Sequence, residues 1–167
     1  MTKFTHKKGK HRSKPRQFKI WWKPKTLKVE FTFHESCRYD HGNDDQFDWN
    51  KLTGITFSID PLQETVMLAW RYNVEKGMIE LAAYYHVKGD RRFSDVLATV
   101  RIGETASATI SVDYKRKQYT VETTVDFESN LSYRSFSHNR KLARRIQPWF
   151  GGNKPAPQTM TFDLKFS

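Results

Sequence analysis

Apolar and polar residues alternate along most of the chain, and this pattern predicts β-strands. Between residues 26 and 34, for example, Val29, Phe31 and Phe33 fall on one face of an extended segment, with polar residues between them. β-Branched and aromatic residues are frequent in these stretches, as is typical of strands. Nine strands are predicted in this way: Gln17–Lys23, Thr26–His34, Leu52–Asp60, Thr65–Asn73, Met78–Lys88, Asp95–Ile102, Ser107–Asp113, Gln118–Phe127 and Thr159–Phe166.

Turn-forming residues separate the predicted strands at intervals of about ten residues. The pairs Asp60-Pro61 and Gly103-Glu104 are examples. Many short strands at this spacing are typical of antiparallel sandwiches. We therefore predict an all-β fold, an antiparallel jelly-roll sandwich over residues 18–167.

One basic segment departs from the strand pattern. In Ser135–Ile146 the residues Phe136, Leu142 and Ile146 would share one face of a helix, which Pro148 would end. At most one short helix is therefore expected in the fold, and it would lie here. Lys141 and Arg145 would then lie on the same side of it.

Positive charge is concentrated at the N-terminus. The first 30 residues contain 11 of the 29 Lys and Arg residues and one acid, Glu30, whereas the other 137 residues contain 18 bases and 17 acids. Residues 1–17 show no helical spacing, so we predict an extended basic arm that is ordered either on a partner or on its own domain.

This asymmetry is typical of proteins that bind a polyanion, such as nucleic acid or an anionic glycan, and a solubilising tail is the alternative. A second basic cluster follows residue 133 and could add another positive surface. The cations expected to contact the polyanion are Lys7, Lys8, Lys10, Arg12, Lys14, Arg16, Arg140, Lys141, Arg144 and Arg145.

Trp21 and Trp22 follow the basic arm directly. An aromatic pair beside cations can stack on bases or on sugar rings. The structural alternative is that one of them packs in the core and the other at its rim. We favour this alternative for at least one of the two.

Composition and motifs exclude several classes of protein. The single cysteine, Cys37, excludes a disulfide framework, and no stretch reaches the roughly 18 apolar residues of a membrane span. No apolar stretch follows the basic N-terminus, so we expect no signal peptide and a location in the cytoplasm or in a virion. The motifs GxGxxG, GxxxxGK[ST], GxSxG and HExxH are absent, so no cofactor or metal site is predicted.

The stretch from 37 to 50 is polar, acidic and rich in turn residues. It contains Asp40, Asp44, Asp45 and Asp48. Oxygen ligands at this density can hold Ca²⁺, but their spacing does not fit the calcium-binding loop motif. We interpret the stretch as a solvated loop or as a surface that pairs with the basic arm.

Three segments together resemble the concanavalin-like jelly rolls of alginate and glucuronan polysaccharide lyases. They are Asn50–Gly54 (NKLTG), Thr65–Arg71 (TVMLAWR) with Glu80–Tyr84 (ELAAY), and Pro148–Asn153 (PWFGGN) with Ala156-Pro157. They are similar to the K-L-P-G turn, the S-A-R-L-M-W-R and Y-x-Y strands and the F-G-G element of those enzymes. The same pattern resembles small jelly-roll proteins of Bacteroidetes and their phages. The resemblance implies the same fold over residues 50–166.

The resemblance also implies an incomplete lyase site. Lys51 matches the lysine of K-L-P-G and Tyr84 the second tyrosine of Y-x-Y, whereas Met67 and Ala82 stand where the lyases have arginine and tyrosine. β-Elimination needs a cation to neutralise the uronate carboxylate and a group that moves the C5 proton. Because Met67 cannot supply the cation, we predict no catalytic residue, and an anionic ligand held by Lys51, Arg71 and Tyr84.

The leading hypothesis is a non-catalytic binding or structural protein that engages a polyanion, encoded by a phage or assembled into a virion or homo-oligomer. Two alternatives stay open. One is a polysaccharide lyase or lectin-like protein that acts on acidic glycans. The other is an intracellular sponge for a small phosphorylated nucleotide.

Overall fold

The computed structural model describes residues 1–167 as two antiparallel β-sheets packed face to face. The strands are β1 (Thr2–His6), β2 (Ser13–Lys14), β3 (Ile20–Trp22), β4 (Thr26–Phe33), β5 (Asn50–Thr56), β6 (Glu64–Asn73), β7 (Met78–Val87), β8 (Asp90–Phe93), β9 (Ala98–Val100), β10 (Thr105–Asp113), β11 (Gln118–Val125), β12 (Glu128–Ser135), β13 (Leu142–Ile146) and β14 (Met160–Phe166). The predicted antiparallel jelly-roll sandwich is confirmed, and each of the nine predicted strands is present.

The chain crosses repeatedly between the two sheets. The first sheet has the order β12-β11-β10-β4-β14-β1-β2, and the second has the order β3-β13-β5-β6-β7-β8, with β9 also paired to β7. Five residues, Pro15–Lys19, connect edge strand β2 of the first sheet to edge strand β3 of the second. These two edges therefore lie on the same side of the sandwich.

Apolar side chains fill the space between the sheets. In β10 the alternate residues Ile110 and Val112 are buried while their neighbours are partly exposed, as expected for a strand with one face on the core. Trp70 of β6 is fully buried, and its ring centroid lies 4.8 Å from that of Phe33 in β4. β6 and β7 are buried on both faces along most of their length, so side chains also cover the outer face of the second sheet.

The N-terminal segment is ordered on its own domain, which is one of the two arrangements expected for it. β1 pairs with β14 along its whole length, and β2 pairs with β1. Phe4 is fully buried, and its ring stacks on that of Phe162 with centroids 6.1 Å apart. Residues 1–17 therefore contribute two strands to the first sheet.

Ser135–Ile146, the segment for which at most one short helix was expected, contains no helix. The end of this segment is strand β13, which lies between β3 and β5 and pairs with both. Phe136 is buried whereas Leu142 is exposed, so the apolar residues do not share one face. The two sheet neighbours satisfy the backbone groups of β13, which a helix would have satisfied internally.

Helical structure is limited to two single 3₁₀ turns in the acidic stretch, Glu35–Cys37 and Asp44–Phe47. Neither turn approaches the length or the apolar character that a bilayer-spanning helix needs. The Asn43 side chain accepts a hydrogen bond from the backbone N–H of Asp45 and so caps the second turn.

Candidate functional site

Two basic segments that are far apart in the sequence lie side by side. Residues 11–23 run antiparallel along residues 141–150, through the pairing of β3 with β13. At one end the Lys23 N–H donates to the Lys141 carbonyl at 2.6 Å, and at the other the Phe150 N–H donates to the His11 carbonyl at 2.7 Å. We call the surface formed by residues 7–23 and 140–150 the basic edge.

Most cations of the basic edge are exposed and have no acidic partner. The six predicted cations of the N-terminal segment are all exposed, as are Arg140 and Lys141, and Arg144 is half-buried. None of the nine lies within 4.0 Å of a carboxylate oxygen. The acidic stretch therefore does not neutralise the basic segment, and the alternative of ion pairing between them is wrong.

A first groove of about 530 Å³ lies on the N-terminal part of the basic edge. The Trp149 ring forms one of its walls; it stacks on His11 with centroids 5.4 Å apart, and the Arg12 guanidinium lies 5.6 Å from its centroid. The groove thus combines an aromatic wall with a dense set of cations. The cations that line it are Lys7, Lys10, Arg12, Lys14 and Arg16.

A second groove of about 420 Å³ lies where β3 and β13 meet the loop after β5. Its apolar lining includes Ile20, Trp22 and Leu142, whose exposed fractions are 56%, 72% and 59%. Arg140, Lys141 and Arg144 also line it. Trp21 faces the other way and packs against the core, so the two neighbouring tryptophans divide between core and surface.

Arg145 does not belong to the exposed surface of the basic edge. It is only 7% exposed, and its guanidinium lies 3.8 Å from the centroid of the Phe166 ring. It donates to the Gln17 carbonyl at 2.7 Å, and burial lowers the pKa of the guanidinium. Because β13 is a strand, Arg145 points inward where Arg144 points outward, which corrects its assignment to the polyanion-binding set.

A second group of polar side chains lies on the outer face of the second sheet. The Lys51 Nζ lies 5.0 Å from the centroid of the Tyr84 ring, and the rings of Tyr84 and His86 are 5.0 Å apart. Arg91 of β8 pairs with His86 in the strand register. We call Lys51, Tyr84, His86 and Arg91 the outer-face cluster.

Tyr84 and His86 of the outer-face cluster are buried, Lys51 is half-buried and Arg91 is exposed. Burial, with the nearby charges of Lys51 and Arg91, lowers the pKa of His86. Burial also lowers the pKa of Lys51 and raises the pKa of Tyr84. Both ring nitrogens of His86 are buried without a hydrogen-bond partner. Such a group is costly unless something hydrogen-bonds to it.

Arg71, the third residue of the predicted ligand set, is held elsewhere. Its Nη2 lies 2.8 Å from the Oε2 of buried Glu80, and its guanidinium lies 4.3 Å from the centroid of the Trp49 ring. The structure therefore brings Lys51 and Tyr84 together but commits Arg71 to a structural ion pair. The prediction missed His86 and Arg91. The spacing of two between Tyr84 and His86 on one strand was the signal that could have found His86.

The acidic stretch serves local turns. The Asp40 carboxylate accepts a hydrogen bond from the Gly42 N–H at 2.7 Å. No three His, Cys, Asp or Glu side chains come close enough together in the chain to hold a metal ion.

Comparison with known proteins yields a likeness of fold. No protein-family model and no curated protein matches the sequence. A solved structure described as a functionally unknown protein from Saccharomyces cerevisiae is 13% identical, with a TM-score of 0.55 over 99% of this chain and 87% of that one.

Two polysaccharide lyases are also among the similar structures. A lyase of polysaccharide lyase family 18 is 11% identical, with a TM-score of 0.47 over 99% of this chain and 86% of that one. An alginate lyase from Alteromonas sp. 272 is 9% identical, with a TM-score of 0.46 over 86% and 72%. These likenesses are of fold alone, and the part of the predicted resemblance that is confirmed is the antiparallel jelly-roll sandwich.

Proposed function

We propose that this protein is a non-catalytic binding protein that holds a linear polyanion along the basic edge. One observation carries the proposal: two basic segments from opposite ends of the chain run side by side, and nine of their cations have no acidic partner. Bringing like charges together is unfavourable unless a polyanion or its counterions neutralise them. A bound polymer would release such counterions and gain affinity from their entropy.

The shape of the basic edge favours a linear partner over a small one. The basic edge follows residues 141–150 from end to end, and an extended chain rises by about 3.3 Å per residue, so the edge is at most on the order of 30 Å long. The two grooves lie at different positions along it. A polymer with regularly spaced charges could contact both at once, whereas a small anion could not.

A charge-removal variant tests this proposal. In Lys10→Gln, Arg12→Gln, Lys14→Gln, we expect DNA affinity to fall at least about tenfold and the slope of log affinity against log salt to become shallower by about two to three, since each phosphate contact contributes about 0.7 to 0.9. Fluorescence anisotropy of a labelled DNA strand, recorded between about 50 and 200 mM salt, measures the affinity and its salt slope. Heparin is titrated in parallel over the same range.

A matched variant controls for net charge. Lys88→Gln, Arg92→Gln, Arg101→Gln removes the same charge from exposed positions beside β7, β8 and β9, at the edge of the second sheet opposite β3. We expect it to keep the parent slope. Equal losses in the two variants, or no association of the parent with any anionic polymer at low salt, would contradict the proposal.

The outer-face cluster supports a second candidate function, the binding of a small anionic group. The observation behind it is the buried His86 ring without a partner, close to Lys51 and Arg91. A carboxylate of an acidic saccharide or a phosphate of a nucleotide could accept hydrogen bonds from such groups. This candidate includes the lectin-like and the sponge hypotheses.

Calorimetric titration with glucuronate and with inorganic phosphate tests the second candidate. We expect Lys51→Met to lose binding about tenfold or more, since a partly buried charge-assisted hydrogen bond contributes about 1.5–3 kcal/mol. The basic-edge variant should bind as the parent does. If Lys51→Met binds these anions with the affinity of the parent, the site is refuted. If the parent releases unsaturated uronates from alginate, the protein is a lyase.

A further inference from the structure

The exposed apolar residues of the second groove form a regular stripe. Ile20 and Trp22 are alternate residues of edge strand β3, so both point to the same, outer face, and both are exposed. Alternate strand residues lie about 6.6–6.8 Å apart. Leu142, which pairs with Trp22 in β13, widens the stripe.

Cations lie on one side of this apolar stripe. Arg140, Lys141 and Arg144 line the second groove beside Ile20, Trp22 and Leu142. Lys19 and Lys23 alternate with the stripe along the chain and point to the other face of β3, where their Nζ atoms lie 5.3 Å from the centroid of the Trp21 ring and 5.6 Å from that of Tyr114. The groove thus presents an exposed indole and two aliphatic side chains next to three cations.

We infer that Trp22, with Ile20 and Leu142 beside it, stacks the unpaired bases of a single-stranded nucleic acid whose phosphates contact Arg140, Lys141 and Arg144. This inference rests on the proposed function and names its polymer. Sequence-tolerant binding of single strands combines a cationic track with side chains on which successive bases stack. A duplex repeats every 3.4 Å along each strand with its bases already stacked, so it cannot present base faces at the wider spacing of the stripe.

The hydrogen-bonding groups of the second groove favour nucleic acid over an acidic glycan. Sugar hydroxyls both donate and accept hydrogen bonds, whereas Lys and Arg side chains supply donors only. The groove has no Asp, Glu, Asn or Gln in its lining, and of its two hydroxyl groups that of Thr56 is buried and bonded within the fold, which leaves that of Ser58 as a side-chain acceptor. The carbonyls of Phe57 and Ile59 already accept from Arg140 and Arg144. Base faces and phosphates need only apolar surface and donors, and both are present.

A stacking variant tests the inference on the full chain. We expect Trp22→Ala to weaken binding of an oligothymidylate of about 16 nucleotides by about tenfold at fixed salt, because stacking on one aromatic residue contributes about 1–3 kcal/mol. The salt dependence should stay that of the parent, since no cation is removed. Heparin affinity should also be unchanged, because heparin has no bases. Trp22→Phe should restore most of the loss.

Tyr133→Ala is the matched control. Tyr133 is an exposed aromatic residue on β12, the edge strand of the first sheet on the opposite side, and its removal should change nothing. An oligothymidylate affinity that is the same in Trp22→Ala and in the parent overturns the inference. If the protein binds heparin or duplex DNA but not oligothymidylate, the inference is overturned and the proposed function stands. If the protein binds no anionic polymer, both are overturned.

Discussion

At the scale of single residues, Arg144 and Arg145 show how much the strand geometry of β13 decides. They are adjacent and chemically identical, yet Arg144 lines the second groove and Arg145 stacks on Phe166 inside the fold. From the sequence they belonged to one basic cluster, because charge counting cannot tell an inward from an outward position. The helix considered at 135–146 added to the error in assigning Arg145, because it placed Lys141 and Arg145 on the same side.

The two arginines should therefore respond differently to truncation. We expect Arg145→Ala to lower the free energy of unfolding by about 2 kcal/mol, because a buried cation-π contact and hydrogen bonds to a charged group are lost. Arg144→Ala should leave stability within about 0.5 kcal/mol but weaken polymer binding. Urea denaturation and DNA titration of both variants measure this contrast, and an equal loss of stability in both would contradict the strand orientation of β13.

At the scale of elements, hydrophobic alternation was informative where a strand faces the core. β4, β10 and β14 each bury alternate apolar residues, and each was predicted. β12 was missed because almost all of its residues are exposed, so its sequence carries no buried face. β1 was missed because its buried positions are Phe4 and His6, with only one large apolar residue among polar ones.

Only the charge composition of the candidate site could be predicted from the sequence. The excess of cations in the first 30 residues is a property of the sequence, and it predicted a polyanion partner. That Lys23 lies beside Lys141 depends on strand pairing between distant segments, which no local pattern reports. Likewise, a motif identified Lys51 and Tyr84. It could not show that Arg71 forms an ion pair with Glu80 on the neighbouring strand, and this ion pair removes Arg71 from the ligand set.

At the scale of the whole molecule, a buried histidine links the stability of the sandwich to pH. His6 of β1 is fully buried between the rings of Phe150 and Phe162, and neither of its ring nitrogens has a partner. Burial, together with the nearby charge of His11, lowers the pKa of His6 from its ordinary value of 6.5 to about 4. The folded protein therefore holds this ring neutral at a pH where the unfolded chain would protonate it.

Stability should fall as the pH drops from 6.5 towards 4, because over that range the unfolded chain binds the proton more readily than the folded one. Between pH 7 and pH 5 we expect His6 to account for a loss of about 1–2 kcal/mol in the free energy of unfolding. His6→Phe keeps an aromatic ring between Phe150 and Phe162 and cannot titrate, so it should lose less stability than the parent by that amount. Urea denaturation of both proteins at the two pH values measures the difference. If the two proteins lose the same stability on acidification, the neutral His6 is not what couples this fold to pH.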